Sequence, residues 1–163
     1  MIRVGLVDDQ TLVRQGIRSL LELSDEIDVV GEGEDGDAAL ALLREVDVDV
    51  LLLDLRMPRR DGIATLETLR ERGSTVPVLV LTTFDDDELV LRALRAGARG
   101  YLLKDVTLDQ LVGAIGTLAA GGTLLQPGLP DRLFRAAATR HQGVQAFERP
   151  EPLTVRETDV LRL

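Results

Sequence analysis

Three carboxylates and one amine stand where short apolar runs end. Asp8 and Asp9 close Ile2–Val7, Asp54 closes Val50–Leu53, and Lys104 follows Tyr101-Leu102-Leu103. A fourth run, Val78–Leu81, ends in Thr82. Lys104 is the single lysine among 19 basic residues. Where arginine is otherwise the rule, a compact point charge has been kept. Three acids brought together repel one another, and a divalent oxygen-seeking cation relieves that repulsion. With no cysteine and one remote histidine, His141, the chain offers oxygen ligands, and Mg²⁺ is the natural ion for them. A carboxylate beside Mg²⁺, an ammonium and a hydroxyl can receive a phosphoryl group. Asp54 would attack in line, Mg²⁺ and Lys104 would neutralise the equatorial oxygens, and Thr82 would donate a hydrogen bond. The acyl phosphate so formed would carry about −1.5 to −2 charge, toward which Thr82 and Lys104 could move.

Taken singly, these residues have plainer readings. Asp8 or Asp9 could cap a first helix, Asp54 could be a turn residue before Met57-Pro58, and a threonine ending a strand is ordinary. His141 reads as a surface residue. Joint placement at four strand ends is what points to a site.

Apolar runs alternate with amphipathic stretches five times, the pattern of an α/β fold with a parallel sheet. Val50–Leu53 and Val78–Leu81 are apolar at every position, as strands buried on both faces are. Leu12, Val13, Ile17, Leu20 and Leu21 form one helical stripe, and Leu40, Leu43 and Val46 begin another. A third helix is expected from about Asp61 to Gly73, with Ile63, Leu66 and Leu69 inward. A fourth starts in the acidic run Asp85–Glu88 and stops at Gly97. The fifth opens on Thr107-Leu-Asp-Gln110, which fits a capping box, and ends at Gly121-Gly122. In an open parallel sheet, ligands bind outside the carboxyl ends of the strands, where Asp8, Asp9 and Asp54 would meet.

A chain of 163 residues, 45% apolar and 29% charged, suits one soluble core with a short appendage. It shows neither a signal peptide nor 18 consecutive apolar residues, so export and membrane insertion are not expected. The absence of cysteine fits the cytosol. Aromatics at 2% leave out the stacking surfaces of single-strand binders. Residues 1–121 hold 23 acids and 13 bases, residues 122–163 hold 5 and 6. The acidic first part repels nucleic acid and is no DNA-binding surface. Residues 122–152, with four of the six prolines, read as a linker that could hold one helix at 131–139. From Leu153 a helix restarts, with Thr154 and Glu157 as another capping box.

In these motifs the chain resembles the two-component response regulators. The receiver resemblance covers 2–121 and rests on Val7-Asp8-Asp9, Leu53-Asp54-Leu55-Arg56-Met57-Pro58, Asp61-Gly62, Leu81-Thr82-Thr83 and Gly100-Tyr101-Leu102-Leu103-Lys104. The resemblance implies a doubly wound, flavodoxin-like five-stranded sheet in the order 2-1-3-4-5. Asp54 is then the phosphoacceptor, and Asp8, Asp9, Asp54 and the backbone carbonyl of Arg56 are the Mg²⁺ ligands. Thr82, Thr83 and Lys104 answer the phosphate, with Tyr101 as the switch partner of Thr82. Residues 153–163 resemble the opening of the helix-turn-helix domain of the NarL/LuxR-type subfamily. The implied partners are a sensor histidine kinase, a second copy of the chain, and promoter DNA through that C-terminal domain only. The recognition helix is not in this sequence, so no DNA-binding residue is expected within it. Asp105 stands where many receivers have proline after the lysine, so a cis peptide is not assumed there.

Two other readings compete. One is a stand-alone receiver acting through protein contacts. The other is a Mg²⁺-dependent phosphohydrolase with Asp54 as nucleophile; such enzymes commonly place an acid two residues on, where this chain has Arg56. The expected character is a phosphoacceptor with slow self-dephosphorylation rather than an enzyme.

Overall fold

A computed structural model describes residues 1–82 and 87–125. Elements alternate strictly along the chain. They are β1 (Ile2–Val7), α1 (Thr11–Leu21), β2 (Ile27–Gly33), α2 (Gly36–Glu45), β3 (Val50–Leu53) and α3 (Gly62–Glu71). Then follow β4 (Val78–Thr82), α4 (Asp87–Arg95), β5 (Gly100–Leu103), α5 (Leu108–Ala119) and the short β6 (Leu124–Leu125). The strands form one sheet in the order β2-β1-β3-β4-β5-β6, and every pairing is parallel. The expected five-strand order is therefore present, and β6 extends it at the β5 edge. Residues 124–125, expected in the linker, thus belong to the sheet.

The period of two explains why the inner strands are apolar throughout. Val50 and Leu52, with Val4, Leu6, Leu79, Leu81 and Leu102, pack with Ile17 and Leu21 of α1 and with Leu111, Ile115 and Leu118 of α5. Leu51 and Leu53 alternate with these and are equally buried, so they face the layer in which α2, α3 and α4 contact one another in succession. Helices cover both faces, and the carboxyl ends of β1, β3, β4 and β5 lie side by side.

The punctuation read from sequence has physical counterparts. Asp61 caps α3, accepting from the Ala64 N–H at 2.9 Å. Thr107 and Gln110 complete the capping box of α5. Gly73, Gly97 and Gly121 take the left-handed backbone after their helices. No peptide bond among the described residues is cis. Two members of the first stripe are misplaced, however: Leu12 is 83% exposed and Leu20 is 42% exposed. The helix turns Ile17 and Leu21 inward, with Val13 half-buried. A five-residue stripe is wider than the face one layer of sheet can cover. Thr83, Phe84, Asp85, Asp86, His141, residues 131–139 and the segment 153–163 lie outside the described residues.

Candidate functional site

The site is built by chain reversals at the carboxyl end of the sheet. Val7 pairs with Leu53 across β1 and β3, so the residues that follow, Asp8 and Asp54, leave their strands together. The Asp54 N–H bonds the Val7 carbonyl at 3.0 Å, and the Asp8 N–H bonds the Gly33 carbonyl at 3.0 Å. Thr82 pairs with Leu103 at the end of β4, and its carbonyl accepts from the Lys104 N–H at 2.8 Å. Backbone ladders thus carry the two buried acids and the lysine to one place.

There the Lys104 ammonium lies between the two acids, 2.7 Å from Asp8 Oδ2 and 3.1 Å from Asp54 Oδ2. Asp8, Asp54 and Thr82 are all buried. Burial lifts the Asp54 carboxyl above the ordinary carboxylate range. The Lys104 charge acts against this shift and the Asp8 charge adds to it, while bonds from Lys104 and the Arg56 backbone N–H also oppose it. Burial alone would lower the Lys104 pKa, but the Asp8 hydrogen bond and the Asp54 charge outweigh it and hold the ammonium above its usual value.

Asp9 is the solvent-open member of the group. Oxygens of Asp8, Asp9 and Asp54 all fall within 4.8 Å of one another. Three carboxylates facing one ammonium leave a formal excess of two negative charges, which a divalent cation matches. The donor set is oxygen alone, as Mg²⁺ prefers. Beside Asp9 a cleft of about 550 Å³ opens between the β3–α3 loop, at Arg56, Met57 and Pro58, and Leu89 of α4.

Tyr101 is buried on β5, paired with Val80. Since Val80 and Thr82 share a face, Tyr101 and Thr82 lie on one side of the sheet as diagonal neighbours. The structure therefore gathers Asp8, Asp9, Asp54, Arg56, Thr82 and Lys104, and sets Tyr101 in the next row.

Sequence reading missed the polar frame around this cluster. The Arg14 guanidinium donates to the Asp8 carbonyl and to Glu32 on β2, the latter at 2.9 Å. Arg18 pairs with the same Glu32. Across the β3–α3 loop, Arg59 pairs with buried Asp35, and Arg60 pairs with Asp37 at 2.7 Å. The available signal was an acidic run, Glu32, Glu34, Asp35 and Asp37, matched by Arg14 and Arg18 before it and by Arg59 and Arg60 a strand later.

The family of the response regulator receiver domain matches residues 4–116. The transcriptional regulatory protein LnrK of Bacillus subtilis (strain 168) is 38% identical over 166 residues, which span 99% of this chain and 76% of LnrK. Among solved structures, the signal receiver domain of the putative response regulator NarL from Mycobacterium tuberculosis is similar at a TM-score of 0.70. It shares 41% identity and covers 74% of this chain and 97% of its own. A two-component response regulator of the LuxR family from Aurantimonas sp. SI85-9A1 is similar at a TM-score of 0.75. Its identity is 32%, with 82% of this chain and 96% of its own covered.

Proposed function

Because this chain belongs to the response regulator receiver family, in its NarL/LuxR-type branch, we propose that Asp54 is a phosphoacceptor whose modification switches a transcriptional regulator. The observation that carries this reading is the buried Asp8–Lys104–Asp54 bridge. An ammonium held between two carboxylates at strand ends is a poor stabilising device and a good phosphate partner.

Asp8, Asp9, Asp54 and the Arg56 carbonyl are the residues that would hold Mg²⁺. Bound there, the ion supplies charge neutralisation for the oxygens of a transferring phosphoryl group. A carboxylate oxygen of Asp54 forms the new bond to phosphorus as the bond from phosphorus to the donor breaks. With a phosphohistidine donor on a sensor kinase, the leaving imidazole takes up a proton. Lys104 then exchanges its contact with the Asp54 carboxylate for one with a phosphoryl oxygen. Thr82 offers a hydroxyl donor to the same oxygens. Movement of Thr82 vacates or fills space near Tyr101, which relays the change to α4 and β5. A swing from mostly inactive to mostly active needs about 5.5 kcal/mol of differential stabilisation, and smaller biases give partial switching.

The phosphorylated form is assigned a homodimer. DNA contact is assigned to a C-terminal helix-turn-helix domain, whose opening is resembled in sequence by residues 153–163, and none to the acidic receiver. The phosphoaspartate hydrolyses slowly on its own, and no separate substrate is assigned. Arg56, two residues after the nucleophile, lacks the acid that a phosphohydrolase would use there. No helix among the described residues is long and apolar enough to cross a membrane.

The test is incubation with Mg²⁺ and a small acyl phosphate. One phosphoryl group should be added to the wild-type chain and none to Asp54→Asn, read by intact mass. Labelling that persists in the variant removes Asp54 as the acceptor. Beryllofluoride, which mimics the acyl phosphate, should change the oligomeric state or the Tyr101 environment.

A further inference from the structure

The loop from Asp54 to Gly62 is anchored in two separate ways. Its base is fixed by the backbone: the Gly62 N–H bonds the Leu55 carbonyl at 2.9 Å. A side chain at 62 could not enter, since its Cβ would fall 2.6 Å from the Asp54 carbonyl oxygen. The tip, which follows Arg56, Met57 and Pro58, is held by side chains. Arg59 pairs with Asp35 and sits 3.7 Å from Glu34. Arg60 pairs with Asp37 at 2.7 Å and donates to Thr68 Oγ1 at 3.1 Å. The Arg60 carbonyl also takes the Gly36 N–H, the first of α2, at 2.8 Å. The two segments touch so closely that a Cβ on Gly36 would come 2.7 Å from that carbonyl.

Arg59 is the one non-glycine with positive φ among the described residues, at 63°. Its side chain is 56% exposed, while its partner Asp35 is buried. A left-handed backbone costs a non-glycine residue energy that glycine would not incur, and Arg59 bears that cost while its guanidinium faces buried Asp35. The arginine thereby ties a strained point of the loop to the end of α2. Asp35 is in turn fixed, since it caps α2 by accepting from the Ala38 N–H at 2.8 Å. A rigid helix end thus grips the loop that carries Arg56.

We propose that Arg59 and Arg60, with Asp35 and Asp37, form a clasp by which the N-terminus of α2 positions the Arg56 backbone, so that the clasp sets the Mg²⁺ affinity of the acidic site. The four are positioning residues, and the inference rests on the reading of that site given above. Groups that orient metal ligands from behind typically change affinity about tenfold or more when removed.

Calorimetric titration of the 163-residue chain with MgCl₂ tests the clasp. Urea unfolding in metal-free buffer serves as an independent measure of stability. Arg59→Gly relieves the backbone and opens the clasp, so it should stay folded in metal-free buffer yet bind Mg²⁺ about tenfold more weakly. Asp35→Asn keeps a capping oxygen but loses the charge, and should show the same loss. The double variant should be no weaker than either single one, since both break one connection. Unchanged Mg²⁺ affinity in Arg59→Gly, or fully additive losses in the double variant, overturns the clasp and leaves the site itself standing. Failure of the wild-type chain to bind Mg²⁺ overturns both the site and the clasp.

Discussion

Two kinds of carboxylate–cation contact lie within one loop of each other and follow opposite rules. Inside, one ammonium serves two buried acids, Asp8 and Asp54, with a third acid at the rim. Outside, each guanidinium has its main carboxylate, Arg59 with Asp35 and Arg60 with Asp37. The inner set is unbalanced, and desolvation penalises its buried charges, Asp8 and Asp54. A lysine fits there because its point charge can turn from one oxygen to another without losing a fixed fork geometry. The outer set is balanced and partly hydrated, so it gives little energy and much direction. Imbalance marks the place where a cation can be added, and balance marks the frame around it.

Removing the inner cation should have the largest effect. Lys104→Ala leaves Asp8 and Asp54 facing each other without compensation, a loss of about 3 kcal/mol or more in metal-free buffer. Mg²⁺ should restore much of it, and the stabilisation by Mg²⁺ should exceed that seen in the wild type, because the variant carries one more uncompensated negative charge. Urea unfolding with and without Mg²⁺ reads this directly. Equal Mg²⁺ effects on the two proteins would mean that ammonium and cation do not answer the same charge.

On the outer side, Asp35→Ala removes both a cap and an ion pair, with a cost of about 1 kcal/mol near neutral pH. The Ala38 N–H, then Arg59, holds the Asp35 carboxyl below the ordinary carboxylate range. A carboxyl depressed on folding stabilises the protein above its unfolded pKa, and that contribution fades as pH falls through the folded value. The gap between wild type and variant should therefore be constant at neutral pH and close only in acid.

Asp54 has the reverse sign, and this sharpens the contrast. Its carboxyl titrates above the unfolded value, so the folded protein holds that proton more tightly than the unfolded chain. Its contribution is present at acid pH and lost as pH rises through the folded value. Asp54→Asn should then unfold at higher urea than wild type in metal-free buffer at neutral pH, the gain shrinking in acid. An Asn variant less stable than wild type at neutral pH would show that the Lys104 contact outweighs burial and the Asp8 charge.

The inner set was legible in the sequence because strand ends are legible. Uninterrupted runs such as Val50–Leu53 declare burial on both faces, and whatever follows them must emerge at one edge of the sheet. Asp8, Asp54, Thr82 and Lys104 could be placed together on that ground alone. The outer set was hidden because its geometry depends on loop backbone. Nothing in Pro58-Arg59-Arg60-Asp61 announces a left-handed arginine, and Asp35 reads only as one acid in a run. The exposure of Leu12 and Leu20 was hidden for a different reason: apolar spacing gives a helix face but not how much of it the neighbouring elements cover. Likewise a two-residue strand such as Leu124–Leu125 is too short to carry a periodic signal.

The smallest expected effect sits at the outermost pair. Arg60 and Asp37 meet at 2.7 Å with side chains 36% and 59% exposed, so losing this pair in Arg60→Ala should change stability by about 0.5 kcal/mol or less. High salt should erase even that, since exposed charges are screened. The Lys104→Ala loss should persist in the same salt, because buried groups are screened far less. Urea unfolding of both variants at low and high NaCl therefore separates the two sets by environment alone. If the two losses respond to salt alike, the inner bridge is hydrated, and the case for a desolvated phosphoryl site at Asp54 weakens with it.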